Sequence, residues 1–119
     1  MNFQIRVIPE VGMKASYRMW SDSQVFTIIA VNKTKRVIMV QRDRVEPLHK
    51  GEDLGFEPGG FVGHCSSQDK QRWITFPDPE GAIKKFSLRK NGRWCEVGEP
   101  NNGPSLTVGV ADEFYDYNF

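Results

Sequence analysis

The sequence has almost no excess of charge of either sign: 16 Lys and Arg stand against 15 Asp and Glu, a formal net charge of +1 over 119 residues. No global field therefore recruits nucleic acid, anionic membrane or acidic substrate, and any such binding needs a local patch. Cysteine is scarce. Cys65 and Cys95 are too few for a disulfide framework and read as reduced thiols of a cytosolic protein. Long apolar runs are missing too, and none approaches the roughly twenty residues that span a bilayer. There is no repeat, no low-complexity tract and no segment of convincing helical periodicity, although Glu46 to Leu54 or Asp112 to Tyr117 suits one short helical turn. Met1 to Ile8 alternates apolar and polar side chains and reads as a strand rather than a signal peptide.

What the chain has in quantity is turns. Gly12, Ser21-Asp22-Ser23, Asn32-Lys33-Thr34-Lys35, Pro77-Asp78-Pro79-Glu80-Gly81, Asn91-Gly92 and Asn101-Asn102-Gly103-Pro104 punctuate it at short intervals. Closely spaced turns define an all-β fold class, a small antiparallel barrel or rolled sheet of SH3-like type with at most one short helix, folded as one domain over residues 1–119. Four-residue loops at Ser21–Gln24 and Asn32–Lys35 would pair Trp20 with Val25 and Val31 with Arg36. Ala15, Tyr17, Met19, Phe26, Ile28, Ala30, Val37 and Met39 then form the core face of a meander. The opposite face, with Ser16, Arg18, Trp20, Val25, Thr27, Ile29, Ile38 and Val40, is too apolar for water and calls for a cover.

Asn91-Gly92 is the strongest local signal, because both residues tolerate the positive φ of a two-residue type I′ hairpin. That register opposes Lys90 to Arg93, Arg89 to Trp94, Leu88 to Cys95 and Phe86 to Val97. Phe86, Leu88, Cys95 and Val97 face the core, while Trp94 points outward beside Arg89 as a cation–π pair, or packs under a neighbouring loop. Trp73 to Phe76 supplies a further strand, joined to Ala82-Ile83 through the Pro77 to Gly81 turn.

Four places carry possible chemistry. Gly59, Gly60, Phe61, Gly63, His64 and Cys65 form a possible ligand loop, where a thiol enzyme would need His64 to activate Cys65; neighbours on a strand point to opposite faces, which disfavours it. A metal site from His49, His64, Cys65 and Cys95 lacks any paired ligand spacing, and the glycines lack the Gly-Lys-Ser/Thr of a phosphate loop, so no metal and no cofactor is expected. The basic set Lys33, Lys35, Arg36, Arg42, Arg44, Lys84, Lys85, Arg89, Lys90 and Arg93, with Trp94 as a stacking platform, offers a nucleic-acid groove; Glu46, Glu52, Asp53 and Glu57 dilute it. The segment 112–119 is an aromatic-acidic tail, Asp112-Glu113-Phe114-Tyr115-Asp116-Tyr117-Asn118-Phe119, that docks either on its own domain, for example over the uncovered meander face, or on a partner.

Gly12-Met13-Lys14-Ala15, Trp20-Ser21-Asp22, Gly59 to Cys65 with Gln68 and Trp73, Leu88 to Trp94 and Tyr115 to Phe119 together resemble a family of small uncharacterised proteins of tailed bacteriophages and prophages, over most of the chain. The resemblance implies an accessory protein in the host bacterial cytoplasm that binds and modulates or inhibits a host factor, including defence systems, and the lack of a credible catalytic set makes it non-enzymatic. Its expected contacts are Arg89, Arg93, Trp94, Phe114, Tyr115, Asp116, Tyr117 and Phe119, with a bacterial protein as partner, nucleic acid as the alternative, a homodimer as one way to cover the second face, and no membrane.

Overall fold

The computed structural model describes residues 7–50 and 68–116. The chain runs through β1 (Lys14–Arg18), β2 (Ser23–Val31), β3 (Val37–Arg42), β4 (Arg44–Pro47), a single 3-10 turn at Gln68–Lys70, β5 (Trp73–Phe76), β6 (Ile83–Leu88), β7 (Trp94–Glu96) and β8 (Ser105–Val108). Six of these close an antiparallel barrel in the order β1-β2-β3-β6-β7-β8, with β8 returning to pair with β1, and β4 and β5 form a separate two-stranded sheet. The all-β class and the small barrel are as the turn spacing predicts. Among the described residues there is no α-helix: Glu46 lies in strand β4, and Asp112 to Asp116 is an extended strap.

Each barrel strand sends alternate side chains inward. Ala15, Tyr17, Phe26, Ile28, Ile38, Val40, Phe86, Trp94, Leu106 and Val108 make one core, with Met13, Met19, Val31 and Leu88 packed on its margins. Tyr17 meets Phe86 edge to face at 5.1 Å and Phe26 at 6.3 Å, the geometry that ring quadrupoles favour. The interior is thus filled by side chains, as expected of so small a barrel.

The β1–β2 loop falls at Met19 to Asp22, two residues earlier than predicted, closed by a Met19 N–H to Asp22 carbonyl bond of 3.0 Å. Ala15 pairs with Phe26 instead of a residue further along, yet both keep the predicted inward face because the slip preserves the parity of the register. In β3 the prediction fails. A β-bulge between Ile28 and Ala30 inserts one extra residue, so Val31 follows Ile28 inward, and Ile38 and Val40 are buried while Ala30, Val37 and Met39 turn out. A bulge resets the two-residue period, and counting alternation through it reverses every face beyond.

The second correction concerns the Asn91-Gly92 hairpin. Gly92 N–H bonds Arg89 O at 3.0 Å and Arg89 N–H bonds Arg93 O at 2.8 Å, so the loop has three residues, Lys90-Asn91-Gly92, with Gly92 at φ 84°. A type I turn followed by a left-handed glycine uses the same Asn-Gly pair as a two-residue turn but moves the register by one. Leu88 therefore opposes Trp94, Ser87 opposes Cys95 and Phe86 opposes Glu96. Trp94 points into the core at 6% exposure, Val97 is exposed, and Cys95 is buried on the outer face under the 97–104 loop, its Sγ 3.7 Å from Asn101 O.

Two polar clusters support the barrel. Asp43, buried where the chain leaves β3 for β4, accepts from Thr27 Oγ1 at 2.6 Å and from Lys14 Nζ, which also reaches Thr27 Oγ1 at 2.8 Å. In the second cluster Tyr17 Oη donates to Glu96 at 3.4 Å, and Lys84 sits 3.6 Å from the same carboxylate. Burial, and then the Glu96 charge, raise the Tyr17 phenol above its ordinary 10.0. A folded-state pKa raised above the unfolded one means the native state keeps its proton while the unfolded chain ionises. Stability is thus fully present below about pH 10 and declines as pH rises from there to the raised folded value. Tyr17→Phe should flatten that alkaline decline in urea melts taken at about pH 8 to 11; an unchanged slope would assign it to other groups.

Candidate functional site

The expected contact hairpin is engaged within the chain. Arg89 donates from Nε to Ser87 Oγ at 2.9 Å, from Nη1 to Asn101 Oδ1 at 2.8 Å and from Nη2 to Glu96 O at 3.0 Å. Arg93 donates from Nη1 to Asn101 O at 2.8 Å and from Nη2 to Gly103 O. Both guanidiniums thus staple the 97–104 loop to the barrel, and the Arg89–Trp94 cation–π pair does not form, because the two side chains lie on opposite faces of the hairpin. The remaining predicted cations separate. Arg42 turns to Glu113, Arg44 lies over the Phe76 ring at 5.0 Å, and Lys84 serves Glu96. Lys33, Lys35, Arg36 and Lys90 stay exposed, brought to one end of the barrel where Leu88 N–H bonds Arg36 O at 2.8 Å.

Gly59, Gly60, Phe61, Gly63, His64 and Cys65, together with Tyr117 and Phe119, lie outside the described residues. His49, just beyond β4, packs edge-on against Trp73 of β5 at 4.9 Å, while Cys95 belongs to the barrel. Among the described residues no three His, Cys, Asp or Glu side chains gather as a metal ion requires, and no helix is long and apolar enough to cross a membrane.

The tail is where the structure brings the predicted residues together. From Val110 to Asp116 it runs as a strap over Ser16, Ser23 and Val25, the face of the first meander that needed a cover. Ser16 Oγ donates to Val110 O at 2.7 Å and accepts from Asp112 N–H at 2.9 Å. Phe114 and Ser23 exchange backbone bonds of 2.9 Å each way, one rung of a sheet. Glu113, nearly buried, takes both Arg42 guanidinium nitrogens at 2.8 and 2.9 Å and also the Val25 N–H at 2.9 Å. The bidentate fork fixes geometry as well as charge. Gln71 then acts as a surrogate strand: its Oε1 accepts from Tyr115 N–H at 3.0 Å and from Trp73 Nε1 at 2.9 Å, while its Nε2 donates to Tyr115 O. Asp116 N–H ends the described strap on Asp22 Oδ1 at 2.8 Å.

This docking sets Tyr115, half exposed, beside the β1–β2 loop and its Trp20, whose side chain is fully exposed at 103% of its reference area. Met19, Trp20, Ser21, Asp22, Tyr115 and Asp116 line an open cleft of about 350 Å³ between strap and loop. Sequence reasoning placed Trp20 on a strand and so missed it. The signal that locates it is its position directly before Ser21-Asp22-Ser23, a turn-forming cluster.

The described residues thus form a six-stranded closed barrel, a separate two-stranded sheet and a strap bridged to Ser23 through Phe114. Comparison of the chain with family models, with curated proteins and with solved structures returned no match.

Proposed function

We propose that this chain is a non-enzymatic accessory protein of a tailed bacteriophage that binds a bacterial host protein in the host cytoplasm and modulates or inhibits it, as host-takeover and anti-defence proteins do. Trp20 carries this reading. An indole held wholly in water forgoes the roughly 1.5–3 kcal/mol that burying a large apolar side chain contributes, and Trp is among the residues enriched at the hot spots of protein interfaces. The neighbouring Tyr115 widens the same surface, so the tail residues Phe114, Tyr115 and Asp116 remain in the proposed contact set, Phe114 as the rung that positions them. Arg89 and Arg93 contribute by holding the 97–104 loop.

The test is affinity purification from bacterial lysate with nuclease present, using wild type and Trp20→Ala. A stoichiometric host protein should be retained by wild type and bound roughly 30-fold more weakly by Trp20→Ala, while the melting curve of the variant stays within about 0.5 kcal/mol of wild type. Equal retention by both would move the contact surface elsewhere.

A second reading is favoured by the cluster of Lys33, Lys35, Arg36 and Lys90 at the far end of the barrel, which suits phosphates of a nucleic acid. Salt-sensitive retention on DNA or RNA, lost in Lys35→Ala with Lys90→Ala, would support it over the first.

A further inference from the structure

We infer that the Trp20–Tyr115 cleft captures an arginine side chain of the partner protein, with the Asp22 carboxylate as its counter-charge; this rests on the binding reading above and names the chemistry that the partner presents. Among the described residues the lining combines two aromatic side chains, a thioether and the Asp22 carboxylate, and includes no cation. The guanidinium of Arg18, the last residue of β1 before this loop, is drawn to Asp112. A guanidinium satisfies both halves of such a lining, since its plane stacks on an indole and its N–H fork meets a carboxylate. A neutral apolar group would leave the Asp22 carboxylate beside a low-dielectric contact without compensation, and a phosphate would meet it as a like charge.

Asp22 is also held ready. Its Oδ1 accepts the Asp116 N–H at 2.8 Å and its backbone carbonyl accepts the Met19 N–H at 3.0 Å, so the carboxylate is fixed before any partner arrives. Oδ2 makes no hydrogen bond or ion pair among the described residues. Fixing the acceptor in advance removes an ordering cost from association. The opposite end of the barrel, with Lys33, Lys35, Arg36 and Lys90 exposed, repels an arginine-bearing segment and orients it toward the cleft.

The full chain, labelled with nitrogen-15, would be titrated with the blocked tripeptide Gly-Arg-Gly and with Gly-Gln-Gly as a neutral control. The expected result is saturable movement of the Trp20 indole and Tyr115 amide signals by the arginine peptide in the millimolar range, and none by the glutamine peptide. Asp22→Asn keeps an oxygen for the Asp116 N–H and should weaken the response roughly fivefold; Trp20→Ala, which removes one wall of the cleft, should abolish the Tyr115 movement. Equal responses to both peptides, no response to either, or an unchanged response in Asp22→Asn would overturn the arginine assignment. Each of those leaves the binding reading intact if host-protein retention still depends on Trp20, whereas loss of that dependence sinks the binding reading itself.

Discussion

Trp94→Ala is expected to cost about 3–5 kcal/mol of folding stability, the range for truncating a large aromatic in a packed core. The residue is 6% exposed, opposes Leu88 and Leu106 across its two neighbouring strands, and shares the core with Phe86 and Ile38. Removing the indole leaves a cavity between Leu88 and Leu106, and its cost grows with the volume that the neighbours fail to fill. The alternative two-residue register makes a sharply different forecast: an outward Trp94 beside Arg89 would lose only its cation–π contact, about 0.5–1 kcal/mol. Urea unfolding of wild type and variant with a common slope separates the two, and a loss below about 1 kcal/mol would overturn the three-residue loop.

Glu113→Ala has the next largest expected effect. The Glu113 carboxylate holds the Arg42 fork and caps the Val25 N–H, and its own side chain is 7% exposed. Breaking one partner of a buried pair typically costs about 3–5 kcal/mol; Arg42 keeps partial access to water and the Val25 carbonyl at 3.0 Å, so about 2–3 kcal/mol is the expected loss here. Glu113→Gln retains an acceptor for the Val25 N–H and should fall between the two. Hydrogen exchange gives the local readout, because the Phe114 and Val25 amides both depend on the strap lying in place. Unchanged protection at Phe114 together with a wild-type melting curve would show that the Ser23 rung and Gln71 hold the strap without the ion pair.

These two residues also show where the sequence was readable. The inward faces of β1 and β2, with Ala15, Tyr17, Phe26 and Ile28, follow from alternation alone, and survive a misplaced loop because the slip was even. Beyond Ile28 the bulge defeats the same count, since nothing in Ile28-Ile29-Ala30 marks which residue is the extra one. Asn91-Gly92 is compatible with both a two-residue and a three-residue loop, and tertiary packing of Trp94 decides between them. Strand β8 was missed outright, although Ser105-Leu106-Thr107-Val108 alternates directly after a turn cluster. The need for a cover over Ser16 and Val25 was legible as excess apolar character, and the tail was a candidate cover. The partners that hold it, Arg42, Ser23 and Gln71, come from three distant stretches of chain and leave no local trace.

Closure of the barrel by β1 against β8 sets the pace at which the molecule forms. Ser16 and Val110 are 94 residues apart in sequence yet hydrogen-bonded, and the whole β1–β8 ladder lies at similar separation. Non-local pairing of this kind places folding on the slow side, in the range of about milliseconds to seconds for all-β domains. Until β8 arrives, β1 presents an unpaired edge carrying Ala15 and Tyr17, a template for pairing with another chain. Refolding yield should therefore fall with protein concentration, as aggregation competes with folding in the interval before β8 docks on β1.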